Sequence, residues 1–378
     1  MKIKRTFWAA AIVFLAAAIS SCQQRQECCS AEELVPGEQA PLANPGDRGF
    51  GMPSTSSQST RPSRNTKPEI RTVHIDSLSM SDPFILADDA THKYYLTSSG
   101  GSIYTSEDLK MWTGPYQAYD VSGTWMEGSR SVAAAEIHKI NGKYYYIATF
   151  TDRSKLVDVV PRRYNVYRQQ SQILVSDTAI GPYKPLNEDP GFCVLPENWA
   201  ILDGTLWNEG GKTYMVFVHE WLQVIDGTMD YVVLSDDLTH AVTKPKTLFR
   251  ASEAKWSKEM NGNNEATYGM RIPGWVTDGP QLFRTGTGRL GMIWSSWGEH
   301  RYAEGVAYSE SGTIDGPWIQ QDEPLKGDNS GHGMLFNTFE GKPLLVIHHS
   351  EGDGPRKPQL WNIDLSGDSL VIGNRYRP

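Results

Sequence analysis

Glu136-Ile137-His138-Lys139-Ile140-Asn141-Gly142-Lys143-Tyr144-Tyr145-Tyr146-Ile147 decides the fold class. Two apolar runs flank Asn-Gly, the dipeptide that most readily closes a tight hairpin, because both central residues of that turn need positive φ. The stretch reads as two short antiparallel strands, and its plan recurs. Upstream, Asp82-Pro83-Phe84-Ile85-Leu86 is followed by the turn Asp88-Asp89 and by Tyr94-Tyr95-Leu96. Downstream come Asp203-Gly204-Thr205-Leu206-Trp207, Gly210-Gly211 and Tyr214-Met215-Val216-Phe217. Asp278-Gly279-Pro280-Gln281-Leu282-Phe283 precedes Gly286-Thr287-Gly288 and Leu290-Gly291-Met292-Ile293-Trp294. His332-Gly333-Met334-Leu335-Phe336, Glu340-Gly341 and Leu344-Leu345-Val346-Ile347 complete the series.

Every unit starts on a polar side chain, and the starts lie 54, 67, 75 and 54 residues apart. A third strand follows most units and runs into a Ser-Asp or Ser-Glu turn, as at Ser106-Glu107-Asp108, Ser176-Asp177, Ser235-Asp236 and Ser309-Glu310. Gly114-Pro115-Tyr116, Gly181-Pro182-Tyr183 and Gly316-Pro317-Trp318 mark the exits. Five similar units, each long enough for four short strands, predict an all-β chain folded as a five-bladed β-propeller over residues 70–378. A pair of stacked sheets fits less well, since it gives no reason for five equivalent polar starts.

The chain has 378 residues, 39% hydrophobic and 21% charged, which is ordinary globular composition. Its net charge is −8, and the first 21 residues hold three cations and no acid. So acidic a body lacks the basic footprint that nucleic-acid binding needs. Four cysteines in this length make no disulfide framework, and no His/Cys cluster has zinc spacing.

Lys2, Lys4 and Arg5 precede an apolar run from Phe7 to Ala18, shorter than the ~20 residues a spanning helix needs. Residues 1–21 therefore read as a secretory signal peptide. Ile19-Ser20-Ser21-Cys22 resembles a bacterial lipobox, so Cys22 is expected to carry lipid and hold the protein to the cell envelope. Residues 22–69, with Pro36-Gly37, Asn44-Pro45-Gly46 and Pro53-Ser54-Thr55-Ser56-Ser57, read as a flexible tether, in which Cys28 and Cys29 have no catalytic use.

In a propeller the innermost strands run side by side around an axis, so equivalent positions form a ring at one mouth. The ring read from the repeat is Asp82, Glu136, Asp203, Asp278 and His332. Carboxyls crowded into one funnel split their pKa values, some staying ionised and one rising. That is the physics of a general base and a general acid. Taken singly, any one of these acids could instead cap backbone N–H groups at a strand start.

Five motifs in order resemble family 43 glycoside hydrolases: Ser81-Asp82-Pro83-Phe84, the stretch from Ala135 to Tyr145, Leu202-Asp203-Gly204-Thr205, Val276-Thr277-Asp278-Gly279-Pro280 and Gly331-His332-Gly333. The resemblance spans about residues 72–378. It implies a monomeric five-bladed propeller that hydrolyses arabinofuranosides, xylosides and related linkages of plant oligo- or polysaccharides, with inversion. By the same resemblance Asp82 is the general base and Asp203 tunes and orients the acid. The acid itself has two candidates. The family usually has Glu-Gly-Pro where this chain has Asp278-Gly279-Pro280, and Asp is one methylene shorter. Glu220, in His219-Glu220-Trp221 at the end of a strand, has the reach and is favoured, with Asp278 as the alternative. An inverting pair is expected about 6.5–9.5 Å apart.

His332 matches an axial position where some members hold calcium through water, so it would act on the ion through that water and not as a direct ligand; a structural axial hydrogen bond is the alternative, and no cofactor is expected to be required beyond that optional structural Ca²⁺. Phe84 is expected to floor the sugar site. Glu136, Arg271 and the rings of Trp125, Trp199, Trp221 and Trp275 are expected to meet substrate, while Trp207 and Trp294 belong to the core. The competing reading is a catalytically altered, glycan-binding propeller lipoprotein, motivated by Asp278 in place of Glu.

Overall fold

The alternating apolar runs form strands that bury both faces. In Leu344-Leu345-Val346-Ile347, Leu344 and Val346 pack into one hydrophobic cluster and Leu345 and Ile347 into another. In the same way Tyr146 and Ile147 point into different clusters. A sheet buried on both sides needs a neighbour on both sides, and five such sheets close a ring. The computed structural model describes residues 68–129, 131–160, 164–260 and 271–378. The expectations for the signal segment, for Cys22, Cys28 and Cys29, and for nearly all of the tether lie outside these residues.

The chain forms a five-bladed β-propeller. Blade I holds β2 (Phe84–Asp88), β3 (Lys93–Thr97), β4 (Ser102–Ser106) and β5 (Met111–Gln117), with β1 (Arg71–His74) added outside β5. Blade II holds β6 (Val132–Ile140), β7 (Lys143–Val160), β8 (Tyr164–Ser176) and β9 (Lys184–Pro185). Blade III comprises β10 (Ile201–Glu209), β11 (Lys212–His219), β12 (Thr228–Val233) and β13 (Lys246–Arg250). Blade IV comprises β14 (Asp278–Arg284), β15 (Leu290–Trp297), β16 (Tyr302–Ser309) and β17 (Trp318–Gln320). Blade V comprises β18 (Ser330–Asn337), β19 (Pro343–His349), β20 (Lys357–Asp364) and β21 (Val371–Tyr376).

Each blade is a continuous stretch of chain, so no strand is exchanged to close the ring. Blades V and I instead meet through the cluster of Phe84, Leu96, Trp112, Met334 and Leu344, and through the hydrogen bond from Met80 N–H to Arg356 O at 2.9 Å. Trp294 is fully buried between blades III and IV, as expected, and the half-buried Trp207 packs against the same cluster.

One departure from the repeat matters for function. β7 and β8 stay paired as far as Val160 and Tyr164, well past the start of β6 at Val132, which lies opposite Phe150. Inner strands start at the axial mouth, so this hairpin stands up from the face where they start.

Candidate active site

The five inner strands open with the same backbone twist. Asp82 (φ 57°), Ala134 (45°), Asp203 (53°), Gly279 (52°) and His332 (52°) are all left-handed. In blades II to V that residue lies in a bulge of the inner strand. Such a conformation costs a non-glycine residue about 1–3 kcal/mol and persists only where its surroundings enforce it. Here a belt of hydrogen bonds enforces it, each from one blade's left-handed residue to a side chain of the blade before. Ala134 N–H donates to Ser99 Oγ at 3.0 Å and Asp203 N–H to Thr149 Oγ1 at 3.0 Å. Gly279 N–H donates to Asp203 Oδ2 at 3.0 Å and His332 N–H to Ser295 Oγ at 2.6 Å. Asp82 N–H closes the belt on His348 Nδ1 of blade V at 3.2 Å.

The bulges correct the ring. Ala134 and Gly279 occupy the places that the repeat assigns to Glu136 and Asp278, two residues before the one and one residue after the other, because spacing alone does not show which residue takes the bulge. Asp278 is one residue before its bulge, yet its carboxyl still reaches the cup: Tyr302 Oη donates to Asp278 Oδ2 at 2.8 Å. Glu136 lies two residues beyond its bulge, is buried, and bonds His138 Nε2 at 2.6 Å. It acts on the cup from within the blade, by raising the pKa of Asp203, and is not a surface for sugar.

The charges divide sharply. Burial would raise the Asp82 carboxyl, but the charge of His332, the contact with His348 and the charge of Arg356 hold it well below the usual range. Ser99 Oγ also donates to Asp82 Oδ2. His332 Nδ1 lies 3.3 Å from Asp82 Oδ1 and 3.9 Å from Asp203 Oδ2. Burial lowers His332, and the surrounding Asp82, Asp203, Asp278 and Glu304 more than reverse that, so its pKa is raised. Burial raises Asp203, with His332 opposing and Asp82 reinforcing. Asp278 is pushed up to about 8, by burial first and by Asp203 next. Glu220 is raised well above the carboxylate range by burial and by Asp278. Asp82 is thus favoured ionised and Asp278 and Glu220 are favoured protonated, with Asp278 in electrostatic reach of both of the others.

The aromatic expectations fare unevenly. Trp221 is buried, and a Cβ on Gly274 would sit 2.0 Å from its ring, so it is a packing anchor and offers no face to a sugar. Phe84 is likewise buried in the blade I–V core, 5.4 Å from the His138 ring. Trp199 stacks on His219 with centroids 4.0 Å apart, and Trp125 lies beneath the Arg168 guanidinium at 4.8 Å. Trp275 is half-buried against the blade III–IV cluster, and Arg271 is exposed.

Three residues of the cup escaped the sequence reading. The Tyr302 and His348 rings stack at 5.5 Å and 8°, and the Arg356 guanidinium lies 5.6 Å from the Tyr302 centroid. His348 sits at the end of the second strand of its blade, as Glu220 follows the second strand of blade III; that shared position was the available signal.

Among the described residues no three His, Cys, Asp or Glu side chains form a cation cage. His332 Nε2 and Glu304 Oε1 are buried without a hydrogen-bond partner. One nitrogen and one carboxylate oxygen fall far short of the roughly six to eight oxygens calcium takes. These residues do not fit a directly held calcium ion.

The model for glycosyl hydrolases family 43 matches residues 75–363. The solved endo-arabinase from Bacteroides thetaiotaomicron VPI-5482 is 31% identical, with TM-score 0.65 over 81% of this chain and 97% of that one. An endo-1,4-β-xylanase from the same organism is 19% identical (TM-score 0.60, 82% and 99% covered). An α-L-arabinofuranosidase from Lactobacillus brevis is 18% identical (TM-score 0.55, 81% and 97% covered). No curated protein matches the chain.

Proposed function

The chain belongs to glycosyl hydrolases family 43, and we propose that it cleaves α-L-arabinofuranosyl linkages in plant polysaccharides of arabinan or xylan type. As a member of that family it is a glycoside hydrolase that inverts the anomeric carbon. The observation that carries the proposal is a cup that sets Asp82 against His332, His348 and Ser99 and buries Glu220 in the field of Asp278, an arrangement that favours an ionised Asp82 and a protonated Glu220. The 31% identity to an endo-arabinase supports arabinofuranosyl over xylosyl substrates.

Asp82 takes a proton from a water as that water attacks the anomeric carbon. Glu220 gives its proton to the departing glycosidic oxygen as the C–O bond breaks. Asp203 holds the blade IV bulge through Gly279 N–H and so sets the place of Asp278, whose charge, once Asp278 ionises toward alkaline pH, raises Glu220. The glycan-binding reading rested on the lack of Glu at position 278. A buried Glu220 with a raised pKa supplies the acid that reading found missing.

Arabino-oligosaccharides, 4-nitrophenyl α-L-arabinofuranoside and 4-nitrophenyl β-D-xyloside should be incubated with the purified protein and followed by proton NMR. The first sugar released is expected to be the inverted β-anomer of arabinose. Release of the α-anomer, or no hydrolysis of any of the three, would overturn the reading.

The same reading places the enzyme on the cell envelope through lipid on Cys22, which Ile19-Ser20-Ser21-Cys22 supports. Expressed in a bacterium, the protein should incorporate labelled palmitate and sediment with membranes, and Cys22→Ser should do neither. An unlabelled, freely soluble wild type would refute the anchor.

A further inference from the structure

Glu220 caps the N-terminus of α1 (Trp221–Val224), a helix of four residues. One turn of helix does not hold itself together in water, because nucleation costs more than so few bonds return. The Glu220 carboxyl accepts one long hydrogen bond, from Leu222 N–H at 3.4 Å. Where that carboxyl points is therefore decided by what fixes the turn.

Gln223 does so with its whole hydrogen-bonding capacity. Its Oε1 accepts from Ala200 N–H at 2.7 Å and from His219 Nε2 at 2.9 Å. Its Nε2 donates to Asn198 O at 2.8 Å and to Asp158 Oδ2 at 3.2 Å. An amide has two donor hydrogens and two acceptor lone pairs, and all are used. The orientation is forced, since the flipped amide would turn NH₂ toward Ala200 N–H. It also fixes the His219 tautomer with the proton on Nε2. The backbone joins the same knot: Glu220 N–H donates to Ala200 O at 2.9 Å, and Gln223 N–H to Glu220 O at 2.9 Å. Asp158 belongs to β7, in the part of the blade II hairpin that rises from the site face, so Gln223 ties two blades together one turn from Glu220.

We propose that Gln223 is a positioning residue for the proton donor, fixing the α1 turn to blade III and, through Asp158, to the blade II hairpin. The proposal rests on Glu220 as the acid. A misplaced acid harms only those substrates whose leaving group needs a proton, and this separates positioning from general loss of structure. The test compares methyl and 2,5-dinitrophenyl α-L-arabinofuranosides, which share the sugar but differ in that need.

In Gln223→Ala, kcat on the methyl glycoside is expected to fall about 30-fold with KM within about twofold, and kcat/KM on the dinitrophenyl glycoside by less than about threefold. Asp158→Ala, an exposed change that serves if Gln223→Ala fails to fold, should show the same selectivity at about three- to fivefold. Equal losses on both substrates, or no loss on the methyl glycoside, would overturn the proposal. Glu220→Ala, run alongside, must show the split itself; if it does not, the acid assignment has failed rather than the role of Gln223.

Discussion

Asp82→Asn is expected to lower kcat/KM by at least about 10⁴-fold on every substrate, activated or not, while the propeller stays folded. Asn cannot take a proton from the attacking water, and a good leaving group does not remove that need. The fold tolerates the change because the features that hold Asp82 survive it. Its N–H still reaches His348, the amide oxygen still accepts from Ser99, and Asn is among the few residues at ease at φ 57°. Stability changes with a definite sign. The Asp82 pKa is depressed in the folded state, so its charge contributes stability above the unfolded value near ~3.9, and that contribution is lost as pH falls through the folded value. The Asn variant should therefore melt lower than wild type at pH 7, with the gap closing in acid. Kinetics on both classes of leaving group and melting curves at pH 7 and pH 3 check both halves. Residual activity above about 1% of wild type would remove Asp82 from the role of base.

The propeller was legible because its cause is local. Asn141-Gly142 and its counterparts close hairpins, and runs such as Leu344 to Ile347 announce strands packed on both faces. Asp82 and Asp203 were legible because each is itself the left-handed residue that opens its inner strand. What was hidden depends on backbone detail or on contacts between distant segments. Blade II carries its left-handed residue two places before the acid that the repeat aligns, without a sequence mark, so Glu136 was placed on the ring where Ala134 stands. Trp221 seemed a sugar platform until Gly274, 53 residues on, proved to leave room for its ring to be buried. His348, which lies 266 residues from the Asp82 it contacts, could be found only once the ring had closed.

The proton donor has two candidates that one pair of variants separates. In Glu220→Gln, kcat on the methyl arabinofuranoside is expected to fall about 10³-fold, with a far smaller loss on the dinitrophenyl glycoside. The alkaline limb of its kcat/KM profile should disappear, because the group whose deprotonation ends activity is gone. Asp278→Asn should keep activity within about tenfold on both substrates. Its alkaline limb should move to lower pH, since the charge of Asp278 is among the causes that raise Glu220. Stability gives an independent reading. Asp278 titrates at about 8 in the folded chain and near ~3.9 unfolded, so stability falls as pH rises between those values. Replacing it with Asn removes that loss, and the variant should melt about 2–4 °C above wild type at pH 7 and level with it at pH 4. If instead Asp278→Asn loses the methyl glycoside and Glu220→Gln keeps it, blade IV supplies the proton through its shorter side chain. Glu220 would then be a buried helix cap whose raised pKa serves no chemistry.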